Sequence, residues 1–396
     1  MLQRTLPALL ATALWTTACL PAFAGVKPDK KTPVKGATAA APASSMESEV
    51  VGSVNGKPVM TFGQVVNKFQ KTSPPQFALA VGQALSQQAT VAFFSPSPKS
   101  RMIVTRDDVL KGLRANAQQS FGTAQQPLSL ASILQQELTQ EAIRQTAAQR
   151  HANPSEAQID AIVAYLIKQQ RLRMGPQVPA TLSDNDFIKM LRPGLTRAKL
   201  KSDPDIRVSA TMFNMAKLDI EKKLKHPIGD ADFVEARHIL VKADPLAPIA
   251  TPEAKKADAA ALAKITKVYD DIKAGKIKFE QAVKDSSEDI GSKETGGSLG
   301  IFMPDGAMVK EFQDVAFVTK VGEISKPFRS QFGYHILEVT KTGKEMKADE
   351  KETFLMDKER AQSQVTFQMI ASQSKIVNKL QPDATIPIPG GARPGG

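Results

Sequence analysis

The sequence predicts an α+β protein that combines one mixed domain of strands and helices with a second, mainly helical domain. Three observations carry that expectation. Two strand patterns, residues 235–241 and 332–339, each hold a histidine, and the chain has only four histidines. The segment between them runs through helical patterns and a glycine-rich loop. Long amphipathic helical patterns precede and follow that segment.

Taken in order, the chain opens with Arg4, an apolar run over residues 6–15, and Pro21-Ala22-Phe23-Ala24. Residues 1–24 read as a secretory signal peptide with an A-x-A cleavage site. The run is too short to span a bilayer. Cys19 is the single cysteine and lies inside this leader, so the remainder has no thiol for disulfide or redox chemistry. Ala18 before Cys19 leaves a lipid-anchor reading open, although Thr16 stands where a lipobox prefers leucine. Residues 25–48 are rich in Lys, Pro, Ala, Ser and Thr and read as a disordered linker.

Residues 49–230 read as an N-terminal domain. Val50 to Val59 is a hairpin pattern with Asn55-Gly56 as its turn. Helical patterns then fill 61–225, broken at the proline-containing stretches 95–98 and 173–179. Residues 130–149 and 155–171 are amphipathic, and Pro154-Ser155 marks the start of the second.

Between the histidines, 252–274 is helical, with Leu262, Ile265, Val268, Tyr269 and Ile272 on one face and Gly275 as C-cap. A second helix covers 278–285 through Phe279, Ala282 and Val283. Ser286-Ser287-Glu288-Asp289 opens a loop ending in Gly296-Gly297-Ser298-Leu299-Gly300, where glycine permits positive φ. The glycine spacing matches neither phosphate-cradling pattern. After the Pro304-Asp305-Gly306 turn, 308–317 is amphipathic, and 321–328 reads as a turn entering an edge strand. Beyond the second histidine, 347–380 is one long helical pattern, with Phe354, Leu355, Phe367, Met369, Ile370, Ile376, Val377 and Leu380. The Pro/Gly-rich tail 382–396 reads as disordered.

The order strand–helix–helix–glycine loop–helix–strand–strand resembles the parvulin family of peptidyl-prolyl cis/trans isomerases over residues 232–344. The residues that carry the resemblance are Arg-His-Ile-Leu-Val-Lys at 237–242, Phe279 with Ser287 and Asp289, Gly-Gly-Ser-Leu-Gly at 296–300, Met308 with Phe312, and Gly-Tyr-His-Ile-Leu at 333–337. The resemblance implies a small antiparallel sheet surrounded by helices. It also implies a reaction that needs no nucleophile, metal or cofactor.

By the same resemblance, His238 and His335 form a pair beneath an apolar pocket. Asp289 and Ser330 adjoin the pair, with Ser287 before Asp289. Leu299, Met308 and Phe312 receive the proline ring, and Phe332 lines the substrate side. Each has an ordinary alternative. A lone strand histidine is more often a core residue. Asp289 fits a loop-capping aspartate, and the three apolar residues fit a plain core. Two departures stand out. Phe332 replaces a small polar residue found in some members, which implies a shorter hydrogen-bond network. The loop 242–253 lacks the arginine cluster of phosphate-directed members, so selectivity for phosphorylated Ser/Thr-Pro is not expected.

A hairpin, a helical domain, one parvulin domain and a terminal helix over 345–381 resemble the SurA/PrsA family of extracytoplasmic folding factors. That resemblance implies a terminal helix packed on the N-terminal domain, closing a chaperone-like cradle. It implies a periplasmic or other extracytoplasmic location. The implied partners are unfolded or nascent secreted proteins containing X–Pro bonds. The net charge of +12 is spread rather than blocked and accompanies no nucleic-acid motif. It points away from nucleic acid and toward electrostatic contact with an anionic envelope surface. Two rivals to the enzyme remain: a binding-only chaperone with a feeble site, and an envelope scaffold.

Overall fold

A computed structural model describes residues 46–93, 106–120, 128–179, 181–243 and 251–381. The expected leader, the linker up to residue 45 and the tail from 382 lie outside them. The described residues divide into two compact units, one made of those up to 215 with those from 363, the other of those within 216–362. Among the described residues no helix is long and apolar enough to cross a membrane.

The first unit starts with the hairpin β1 (Val50–Val54) and β2 (Lys57–Thr61). Its turn places Asn55 at φ 50° and Gly56 at φ 79°, the left-handed pair that a two-residue hairpin needs. Helix α1 (Phe62–Thr72) follows at once. Thr61 caps it and Gln64 returns a bond to the Thr61 N–H, closing a capping box. Helices α2 (Pro74–Phe93), α3 (Arg106–Ala115), α4 (Leu130–Gln149), α5 (Glu156–Met174), α6 (Asp184–Leu191) and α7 (Arg197–Ser202) come next, and α8 (Pro204–Leu224) begins in this unit and ends in the second. Val51, Val54, Phe62, Phe69, Leu134 and Leu138 are fully buried. Gly52 lies so close to α4 that a Cβ there would come within 2.7 Å of Leu134 Cδ1.

The C-terminal pattern departs from the expected single helix. Helix α13 (Ala348–Gln373) stops short, and Ile376–Asn378 form strand β7, antiparallel to β1 in the order β2-β1-β7. Helical spacing had joined Ile376, Val377 and Leu380 to the helix face. The open edge of β1 takes Ile376–Asn378 instead, with the β-branched Ile376 and Val377 among them and a partner more than 300 positions away, while Leu380 lies beyond the strand.

The second unit centres on a four-stranded antiparallel sheet of order β4-β3-β6-β5. Its strands are β3 (Val234–Lys242), β4 (Ser298–Phe302), β5 (Phe328–Ser330) and β6 (Gly333–Thr342). Alternation along the strands separates two faces. Ile239, Val241, Tyr334 and Ile336 pack against α9 (Pro252–Lys273) and α10 (Phe279–Ser286). Val234, Ala236, Leu337 and Val339 face the other way, against Phe312 and Ala316 of α12 (Lys310–Ala316). A third cluster joins Phe233, Met303 and Met346 to Ile220 of α8 and to Phe354 and Leu355 of α13. Residues flanking the 232–344 span thus share the unit's core.

Candidate active site

His238 and His335 sit on the α12 face of the two central strands. In the β3–β6 register His335 is opposite Leu240, and His238 is opposite Leu337. The histidines are therefore diagonal neighbours on one face. Their rings stack at 5.5 Å and 19°, and their Nδ1 atoms are 3.3 Å apart. Both are buried, at 6% and 3% exposure.

Asp289 reaches the pair from the loop after α10. Ser287 accepts the Leu240 N–H, the Glu288 N–H donates to the Leu240 carbonyl at 2.7 Å, and the Glu288 carboxylate accepts the Lys242 N–H at 2.8 Å. The loop is thereby laid along the end of β3. Asp289 Oδ2 lies 2.9 Å from His238 Nε2. The same carboxylate accepts the Ser292 hydroxyl and the Gly291 N–H as N-cap of the single turn α11 (Ile290–Lys293). The capping alternative and the histidine contact are both realised. On the other side the His238 N–H donates to the Gly297 carbonyl at 2.9 Å. Gly297 has φ 80°, and a Cβ there would stand 2.4 Å from the His238 carbonyl oxygen. Only glycine lets the loop come this close.

At the far end Ser330 Oγ lies 2.7 Å from His335 Nε2 and accepts the Phe332 N–H at 3.1 Å. The residues thus form one chain: Asp289, His238, His335, Ser330 and the Phe332 N–H. The last donor is the Phe332 backbone amide, and the Phe332 side chain adds no member to the chain. The Phe332 ring is 51% exposed and outside the apolar cluster.

Protonation follows from burial. Burial pushes His335 down to about 4, and the neighbouring His238 adds to that. Burial also lowers His238, against the pull of Asp289. For Asp289, burial opposes ionisation, yet bonds from Ser292, His238 and the Gly291 N–H hold its carboxyl below the usual carboxylate range. Near neutral pH the rings are uncharged and the carboxylate is ionised. Asp289 then accepts His238 Nε2–H, His238 Nδ1 accepts His335 Nδ1–H, and His335 Nε2 accepts the Ser330 hydroxyl proton. Every donor meets an acceptor in this polarity.

Phe312 is buried and meets both imidazoles edge-on, at 5.5 Å and 5.6 Å. Leu299 and Met308 pack half-buried beside it. Sequence reasoning missed Phe328, which stacks on His335 at 5.3 Å and 18° and meets the Phe312 ring at 5.7 Å. It also missed Ser292. Phe328 was detectable: two residues before Ser330 on an edge strand, alternation places it on the same face.

Residues 238–341 match the family model described as the PPIC-type PPIASE domain. Foldase protein PrsA 1 of Bacillus cereus is 39% identical over 142 residues, covering 34% of this chain and 43% of that protein. Chaperone SurA of Alcanivorax borkumensis is 41% identical over 103 residues, covering 26% of this chain and 21% of that protein. The solution structure of the parvulin of Nitrosopumilus maritimus is 35% identical, matches 28% of this chain and 97% of that one, and gives a TM-score of 0.21. The chain thus spans less than half the length of the two curated relatives. Residues 238–341 are a parvulin-type domain.

Proposed function

We propose that this chain, carrying a parvulin-type domain at residues 238–341, is a peptidyl-prolyl cis/trans isomerase for polypeptides folding outside the cytoplasm. The observation that carries the reading is the unbroken chain from Asp289 through His238 and His335 to Ser330, set against the Phe312 ring. Rotation about an X–Pro bond faces a barrier of about 18–20 kcal/mol from amide resonance, and uncatalysed exchange takes tens to hundreds of seconds. The bond rotates without breaking, so no group has to transfer a proton. Leu299, Met308, Phe312 and Phe328 offer an apolar seat for the proline ring. There the charge-separated planar amide is poorly solvated relative to the twisted form. The neutral imidazoles and ionised Asp289 set a fixed field beneath that seat, and the exposed Phe332 ring is free to meet residues flanking the proline.

The leader pattern of residues 1–24 supports export, and a foldase and a chaperone among the relatives support unfolded clients. The basic net charge supports contact with an anionic envelope surface. A protease-coupled assay on the full chain with Xaa-Pro peptides tests the reading. Acceleration that saturates with peptide is the expected result. No acceleration over buffer, with aggregation of an unfolded client still suppressed, would favour the binding-only rival. Most of the loop lacking an arginine cluster, residues 244–250, lies outside the described residues. Its sequence supports turnover of Ser-Pro and phosphoSer-Pro peptides within a few-fold of each other. A hundredfold preference for the phosphorylated peptide would overturn that part.

A further inference from the structure

Ser330 and His335 owe their contact to the pairing of the shortest strand of the sheet. Strand β5 has only three residues, pairs with β6 alone, and forms the sheet's outer edge. Phe328 and Ser330 point to the histidine face, and Arg329 between them points to the opposite face. Its cross-strand partner is Tyr334, next to His335. These two back-face side chains converge on one carboxylate. Arg329 Nε–H donates to Asp258 Oδ1 at 3.0 Å, and the Tyr334 hydroxyl donates to Asp258 Oδ2 at 2.7 Å. Asp258 lies in α9, which is anchored to the same face through Ala261, Ile265 and Val268. The Tyr334 ring belongs to that cluster, and the Arg329 guanidinium lies 5.9 Å from its centroid.

One carboxylate on a rigid helix thus spans both strands of the edge pair, directly behind the residues that hold the end of the imidazole chain. An edge strand with three ladder positions frays easily. A shift of β5 against β6 would open the Ser330–His335 bond and slide Phe328 off the His335 ring. We infer that Asp258 is a positioning residue for isomerisation, holding Ser330 and Phe328 in register with His335 from the far side of the sheet. The inference rests on the proposed isomerase reading.

The test uses the full-length chain and two substitutions, Asp258→Ala and Tyr334→Phe. Neither residue touches the proposed peptide seat. Two readouts are taken: kcat/KM on an Xaa-Pro peptide, and the imidazole nitrogen signals of His335 by NMR. Misplacing a catalytic group by an ångström costs up to about a hundredfold, so a loss of about tenfold is expected for Asp258→Ala and a smaller loss for Tyr334→Phe. The His335 signals should shift from a single tautomer, protonated at Nδ1, toward a mixture. A change in only one readout, or in neither, while the variant remains folded would overturn the inference. If Asp258→Ala fails to fold, Tyr334→Phe decides, since it removes one hydroxyl and keeps the ring in the core. A wild-type chain without isomerase activity would sink the proposed function; the imidazole signals would then decide alone whether Asp258 holds the pair.

Discussion

The Nε2–H of His238 meets Oδ2 of Asp289 at 2.9 Å, and this contact sets the direction of every hydrogen bond beyond it, through His335 to Ser330. An ionised carboxylate can only accept. His238 must therefore carry its proton on Nε2, leaving Nδ1 bare for His335.

Removing that anchor should separate activity from folding. Asp289→Ala uncaps a single helical turn and leaves one buried imidazole N–H without its partner, a stability loss of about 1–2 kcal/mol. It also frees the tautomers and positions of both histidines, so kcat/KM should fall by up to about a hundredfold. His238→Ala should act in the same direction. Urea melts and the protease-coupled assay check this. Full activity in both variants, folded by circular dichroism, would remove these residues from the mechanism.

The histidines also make the domain acid-sensitive. His335 titrates at about 4 in the folded chain, against 6.5 ordinarily. The folded state binds fewer protons between those values, so stability is complete above about 6.5 and is lost as pH falls toward 4. The loss is on the order of 3 kcal/mol. Isomerisation should be flat from pH 8 downward and decline as pH approaches about 4, where His335 takes up a proton. Chemical denaturation across this range measures it; stability unchanged down to pH 4 would contradict the buried neutral pair.

Gly297→Ala should damage fold and site together. A Cβ there meets the His238 carbonyl at 2.4 Å on a backbone at φ 80°. A left-handed non-glycine residue alone costs about 1–3 kcal/mol, and the clash adds to it. A thermal melt of the variant should show a lower midpoint, with activity reduced even where the domain remains folded.

Glu359 on α13 gives the opposite pH signature. It is 5% exposed. Burial pushes its carboxyl up to about 7, with Lys217 opposing and Glu221 adding. The folded state here binds the extra proton, so this group's contribution is present below about 4.5 and falls as pH rises through 7. Glu359→Gln should therefore raise stability at pH 8 by about 1–3 kcal/mol and change little at pH 5. Equal melts at both values would show that the carboxyl is not strained by burial.

Strand β7 should be needed by the first unit. Asn378 is buried, donates to the Ala131 carbonyl at 3.0 Å and to Gln135 Oε1 at 3.2 Å, and accepts the Leu380 N–H. Asn378→Ala should cost about 2 kcal/mol through the partners it strands. Truncation after Ser374 should cost more, because it also bares the edge of β1. Hydrogen exchange at the β1 amides reads the effect directly; unchanged protection after truncation would show that the unit does not depend on β7.

The sequence alone marked most local elements and the candidate residues that the fold brings together. Alternation marked β3 and β6, Asn55-Gly56 marked the hairpin turn, and the glycine run marked the loop beside His238, because these signals act between neighbours in the chain. His238, His335, Asp289, Ser330, Met308 and Phe312 were legible because their spacing fits a family pattern. The tertiary structure decided what depends on contacts between distant segments. Alternation already set Phe328 on the Ser330 face, but its contact with His335 exists because β5 pairs with β6. Residues 376–378 carry apolar spacing that suits a helix, and only the open edge of β1 made them a strand. Asp258 has no sequence signal at all. A carboxylate on an exposed helical pattern reads as solvated until folding brings Arg329 and Tyr334 to its two oxygens.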